Sequence, residues 1–202
     1  MKECLVVGKV GAGKTLFVLN FAAYLGLARI KINVEYPSGQ VLYRQYSIEA
    51  ARRQLVGNNP HTTKALQSII LEIPVTKGVR RCIISDSSGL IDHIHKDAGI
   101  RQAIAQTLGA IRRADLILHV VDTSQIGVSD APSALGEVDY QVAQFAQMRG
   151  GYLILANKID LPNTNLGLQK LHLELPGHKI TPISAMTGHG FKEVRAFVRR
   201  HL

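Results

Sequence analysis

Gly8-Lys9-Val10-Gly11-Ala12-Gly13-Lys14-Thr15 follows directly on the apolar run Cys4-Leu5-Val6-Val7, and this junction decides the fold. A strand ending in G-x-x-x-x-G-K-T, with a helix-forming segment behind it, is built to hold a nucleoside triphosphate. The glycines let the backbone curl until several N–H groups point inward at one phosphate. Gly8, Val10, Gly11, Ala12 and Gly13 are therefore candidate phosphate ligands. Lys14 adds a cation for the β- and γ-phosphates, and the Thr15 hydroxyl suits Mg²⁺.

The base preference is written further along. Leu153-Ile154-Leu155-Ala156 reads as a buried strand that runs into Asn157-Lys158-Ile159-Asp160. N-K-x-D after a strand suits guanine: the Asp160 carboxylate can accept hydrogen bonds from the ring N1–H and the exocyclic amine. Adenine lacks that donor pair and would leave the carboxylate desolvated and unpaired. Lys158 can lay its stem along the ring, and Asn157 can tie this loop to the phosphate loop.

Two further segments fall in order after strand candidates. Arg81-Cys82-Ile83-Ile84-Ser85 leads to Asp86-Ser87-Ser88-Gly89, a D-x-x-G in which Asp86 suits Mg²⁺ through a water and the Gly89 N–H suits the γ-phosphate. Ile180-Thr181-Pro182-Ile183 leads to Ser184-Ala185-Met186, whose backbone N–H groups suit the guanine O6. Alone each is as good a plain turn. Together they place four loops after four strands, as an open α/β sheet requires of its ligand sites.

The expected order is strand 3–8, helix 14–27, an irregular stretch to 63, strands 65–74 and 80–86, helix 97–113 and strand 115–122. Helix 134–148, strand 151–157, a short helix near 165–173, strand 179–184 and helix 190–201 complete it. Alternation of this kind predicts a doubly wound sheet. The short link at Thr76-Lys77-Gly78 predicts an antiparallel hairpin between the second and third of these strands. In the stretch 29–62, Ile32–Tyr36 and Val41–Arg44 flank Pro37-Ser38-Gly39-Gln40 as a small hairpin, and Ser47–Leu55 reads as a capped helical turn or two. This insert either reports nucleotide state to a partner or decorates the surface.

At 202 residues one domain is expected, over 1–202. The formal charge of +9 is basic for a chain that must also hold a polyanion. Arg52-Arg53, Arg80-Arg81, Arg112-Arg113 and Arg199-Arg200 are either an RNA or anionic-surface footprint or solvated faces. Cys4 and Cys82 lie on strands expected to be neighbours and read as reduced core residues. With no signal-peptide pattern ahead of them, a cytoplasmic location is expected. The helix from Leu16 to Ala28 has no charged residue; at well under the roughly 20 residues of a membrane span, it is expected to pack beneath the insert.

These motifs resemble the small P-loop G domains of the translation-factor (TRAFAC) class, of the Era, EngA and TrmE type. Ser184-Ala185-Met186-Thr187-Gly188-His189-Gly190 is similar to the S-A-x-T-G-x-G that opens their final helix. The resemblance implies a three-layer Ras-like α/β fold with a mostly parallel six-stranded sheet and one antiparallel strand. It implies Mg²⁺-dependent GTP hydrolysis to GDP in a molecular switch with a protein partner at the switch regions. It favours Thr63, with Thr62 as the alternative, as the switch threonine that ligates Mg²⁺ and the γ-phosphate. Lys14, Thr63 and Gly89 are then the catalytic set, and Thr15, Thr63 and Asp86 the metal set. Departures matter too. Leu90 stands where Ras-like enzymes carry a water-orienting glutamine, which leaves Asp92, His93 and His95 as polar candidates. Gly11 stands where Era-type proteins carry an asparagine that helps ligate potassium, so potassium stimulation is not implied. No KH-type RNA domain or second G domain fits in the remaining residues. Intrinsic turnover at or below roughly 10⁻² per second is expected. A GTP/GDP-binding scaffold with negligible hydrolysis is the alternative, and a P-loop kinase is favoured by the phosphate loop alone.

Overall fold

Successive side chains of β1 (Lys2–Val7) drop into two different cores, Cys4 and Val6 into one, Leu5 and Val7 into the other. A strand apolar on both faces must be covered on both faces, and that requirement organises the molecule. A computed structural model describes residues 1–57, 65–75, 77–92, 96–128, 135–147 and 150–202. In chain order β1 is followed by α1 (Lys14–Tyr24), β2 (Arg29–Glu35), β3 (Val41–Ser47), α2 (Ile48–Leu55), β4 (Leu66–Val75) and β5 (Gly78–Asp86). Then come α3 (Ala98–Arg113), β6 (Leu116–Asp122), α4 (Thr123–Val128), α5 (Glu137–Gln147), β7 (Tyr152–Asn157), α6 (Thr164–Glu174), β8 (Ile180–Pro182) and α7 (Phe191–His201).

Among the described residues the sheet has eight strands, in the order β3-β2-β4-β5-β1-β6-β7-β8. It is larger than the six expected because the hairpin of the 29–62 stretch joins it. β2 pairs antiparallel with β4, Ile32 opposite Ile69, and β3 pairs antiparallel with β2. The expected β4–β5 hairpin is present. Two strands, β3 and β4, thus run against the other six, and β5, β1, β6, β7 and β8 form a parallel block.

One core lies between the sheet and α1, α2 and α7; the other face carries α3, α5 and α6. The rings of Phe17, Phe21 and Tyr24 stack along α1, and Phe191 of α7 meets all three edge-to-face. Ile48 and Ala51 of α2 belong to the same core, which accounts for the uncharged surface of α1. That helix stops at Tyr24 rather than 27. Gly26 takes φ 95°, its N–H bonds to Ala23 O, and the Leu27 N–H reaches back to Ala22 O. This is a Schellman stop, and it depends on a residue that tolerates the left-handed conformation. Cys4 and Cys82 are free, buried thiols of that core, on paired strands.

Candidate functional site

All four motif loops emerge at the carboxyl ends of parallel strands, β1, β5, β7 and β8. Three are joined by one side chain. Asn157, 1% exposed at the end of β7, donates through Nδ2 to Ala12 O at 2.7 Å and accepts through Oδ1 from the Ala185 N–H at 2.9 Å. It thereby joins the phosphate loop to the Ser184–Met186 loop. Gly13 is the residue this contact demands: its φ is 99°, and a Cβ there would sit 2.4 Å from Asn157 Nδ2. Thr123 Oγ1 in turn donates to the Asn157 carbonyl.

Lys14 is buried at the start of α1, with Nζ 2.8 Å from Lys9 O. Burial pulls its pKa down to about 8, although Asp86 and Asp139 oppose the shift. Thr15 Oγ1 donates to Asp86 Oδ2 at 2.6 Å. Asp86 is 2% exposed, and burial pushes its carboxyl up to about 6 against the pull of Lys14 and Thr15. Its second oxygen, Oδ1, is buried without a hydrogen-bond partner among the described residues. A buried orphan acceptor beside a hydroxyl and an ammonium has the chemistry of a divalent-cation corner. No group of three or more acidic, His or Cys side chains gathers among the described residues, so phosphate and water oxygens would have to complete such a shell.

The D-x-x-G segment runs along the phosphate loop. The Leu90 N–H bonds to Gly8 O, and the Val10 N–H bonds to Leu90 O. A Cβ on Gly89 would fall 2.4 Å from Val10 Cγ2. The Leu90 side chain is 2% exposed in the core with Leu5, Leu66 and Ile111. It serves as an anchor and is turned away from solvent. Asp92 is not free either: Lys9 Nζ lies 2.5 Å from its Oδ2, and Oδ1 accepts from the Val138 N–H at the start of α5. Thr62, Thr63, His93 and His95 lie outside the described residues.

Lys158 takes φ 69°, a left-handed conformation unusual for a residue with a side chain, and its Nζ pairs with Asp122 Oδ2 at 2.5 Å. Asp160 is exposed. A cleft of about 400 Å³ opens between Lys9–Ala12 of the phosphate loop, the end of β6 at Val120–Asp122, and Lys158.

Sequence reading missed the underside of the phosphate loop. Lys9 Nζ also lies 3.6 Å from Asp139 Oδ2 of α5. Asp139 Oδ1 meets Nε2 of His119, fully buried in β6, and His119 Nδ1 meets the Tyr152 hydroxyl of β7. Burial pushes the Asp139 carboxyl up, but the hydrogen bond and charge of His119, then Lys9 and the Gly136 N–H, hold it below the ordinary aspartate value. His119 in the middle of Leu116-Ile117-Leu118 and Val120-Val121 was the available signal, since a polar ring in a buried strand needs partners.

The family described as 50S ribosome-binding GTPase matches residues 45–158. GTPase Obg of Ruminiclostridium cellulolyticum is 29% identical over 152 residues, which cover 73% of this chain and 34% of that protein. The chain thus spans about a third of the length of that curated relative. Among solved structures, Aquifex aeolicus Era bound to GDP·AlF4⁻ superposes with a TM-score of 0.67 at 18% identity, over 100% of this chain and 57% of that one. The G domain of T. maritima FeoB superposes with a TM-score of 0.56 at 17% identity, over 100% and 98%. These likenesses show a shared fold.

Proposed function

The chain belongs to the 50S ribosome-binding GTPases and has the α/β Ras-like G-domain fold, and from that premise we propose that it is a guanine-nucleotide switch that hydrolyses GTP slowly. The observation that carries this reading is the Asn157 amide, which joins the phosphate loop and the Ser184–Met186 loop around one rim. Gly8–Thr15 hold the phosphates through backbone N–H groups and Lys14. Asp160 accepts from the guanine N1–H and amine. The Ala185 N–H is already given to Asn157, so the Met186 N–H, without a partner among the described residues, is the donor open to O6.

Mg²⁺ fits the corner at Asp86, whose orphan Oδ1 lies on the carboxylate that already holds Thr15. Thr15 and, through water, Asp86 would hold it, with Thr63 as the third ligand when GTP is present. Bound there, it supplies positive charge for the phosphate oxygens. Lys14 and the Gly89 N–H stabilise charge developing on the γ-phosphate as water attacks in line. Leu90 is locked in the core and Asp92 is held by Lys9, so neither orients the water. Turnover at or below roughly 10⁻² per second follows, with acceleration by a partner at the switch segments. The family description and the +9 charge make ribosomal RNA a candidate surface for that partner, although Arg81 is paired with Glu72.

The test is competition of GTP, GDP and ATP for the protein with Mg²⁺, together with phosphate release under multiple turnover. GTP and GDP should bind far better than ATP, and Asp160→Asn should shift preference toward xanthine nucleotides. Equal displacement by ATP, or unchanged GTP affinity in the Asp160→Asn variant, overturns guanine reading. No phosphate release, with binding intact, leaves a scaffold instead of an enzyme.

A further inference from the structure

We propose that Asn20 aims the base-reading loop, and that Arg52 of the inserted helix α2 sets how firmly it does so. The inference rests on the guanine reading above and extends it to two residues outside the four motifs.

Asn20 sits on α1, six residues beyond Lys14, in a helix with no charge after Lys14 itself. A half-buried amide among apolar neighbours needs partners, and it has two. Its Nδ2 donates to Ala185 O at 2.6 Å, and its Oδ1 accepts from Arg52 Nε at 2.6 Å. The Ala185 carbonyl and the Met186 N–H belong to one peptide unit. In a planar trans peptide these two groups point in opposite directions, so a grip on the carbonyl aims the N–H. Asn20 therefore orients the donor left open for the guanine O6, while Asn157 holds the preceding N–H of Ala185. Two amides, one from α1 and one from β7, fix the loop from both sides.

Arg52 adds charge to the chain. Its guanidinium polarises the Asn20 amide, which strengthens the bond to Ala185 O and, through the shared peptide, the Met186 donor. Arg52 is placed by α2, which Ser47 caps and which Ile48 and Ala51 seat on the core beside α1. Any movement of the 29–62 segment that carries α2 away withdraws this support from the base loop. The insert thereby tunes nucleotide affinity without touching the nucleotide.

The experiment compares GDP, 6-thioguanosine diphosphate and inosine diphosphate on the full chain and on Asn20→Ala, Arg52→Ala and Arg52→Lys, with ADP as a control on the full chain. The sulfur analogue weakens the acceptor at position 6. Inosine keeps O6 and lacks the amine read by Asp160. In Asn20→Ala the preference for GDP over the sulfur analogue should fall by about five- to tenfold, the value of one aimed hydrogen bond. The preference for GDP over inosine diphosphate should stay unchanged. Arg52→Ala should show a smaller fall of about two- to threefold, and Arg52→Lys, which keeps a donor, should restore it. Equal weakening of all three nucleotides would reduce Asn20 to a packing role, and no change in any ratio would remove both residues from base reading. Should Asn20→Ala not fold by thermal melt, the Arg52 pair decides alone. A wild-type chain that does not prefer GDP over ADP would instead mark the failure of the guanine reading itself.

Discussion

Replacing Asn157 by alanine removes two buried hydrogen bonds at once, and the structure sets the size of the effect before any nucleotide is added. The Ala12 carbonyl loses its 2.7 Å donor and the Ala185 N–H its 2.9 Å acceptor, and both residues are 2% exposed. Each buried backbone group left unsatisfied costs about 1–3 kcal/mol, and water entering the vacated space recovers part of it. The expected loss is therefore about 2–5 kcal/mol, which for a domain of this size lowers the melting temperature by about 4–20 °C. Urea unfolding of the nucleotide-free protein measures it as a lower midpoint at constant slope. GTP affinity should fall in parallel, because the phosphate and base loops are no longer tied. A loss below about 1 kcal/mol in the apo protein would refute the claim that this amide organises the rim before ligand arrives.

Two further changes test the surroundings of the site. Leu90→Gln places an amide among Leu5, Leu66 and Ile111, and should cost about 2–4 kcal/mol in urea unfolding while giving no faster phosphate release. Faster turnover with stability intact would mean that the side chain at 90 faces the γ-phosphate instead of the core. Asp139 has a folded pKa depressed below its ordinary value, so its contribution is present above about pH 4 and is lost as the pH falls through the folded value. Asp139→Asn should therefore destabilise at pH 7 and progressively less as the pH falls below the ordinary aspartate range, read as midpoints of unfolding across pH. A constant difference across that range would exclude the charge of Asp139 as the cause.

The parallel half of the sheet was legible because four of its five strands, β1, β5, β7 and β8, are short runs followed by a loop with phosphate or base chemistry. Cys4–Val7 and Leu153–Ala156 carry that message locally. The strand character of residues 29–47 was also local, since Ile30, Ile32 and Val34 alternate with polar neighbours. Its attachment to β4 was not, because the pairing of Ile32 with Ile69 joins segments that share no spacing rule. The same distance in sequence hid Lys9, Asp92, His119, Asp139 and Tyr152, whose partnership exists only once α5 packs across β6. Asn20 was hidden for a different reason. Within its own helix it is an ordinary polar residue, and its meaning comes from Ala185 and Arg52, on two other elements.

The pairing of β2 with β4 has a practical consequence for anyone trimming or extending this chain. Excising residues 29–57 would bare the backbone hydrogen-bonding row of Leu66–Ile69 and create a sticky border prone to self-association. The turn at Pro37–Gln40 is the opposite case. It closes on itself, with the Tyr36 N–H on Gln40 O and the Gly39 N–H on Tyr36 O, and lies at the far tip of the ribbon. A reporter peptide grafted there would leave every ladder intact, whereas the same graft within Ile32–Glu35 would unzip the border it was meant to decorate.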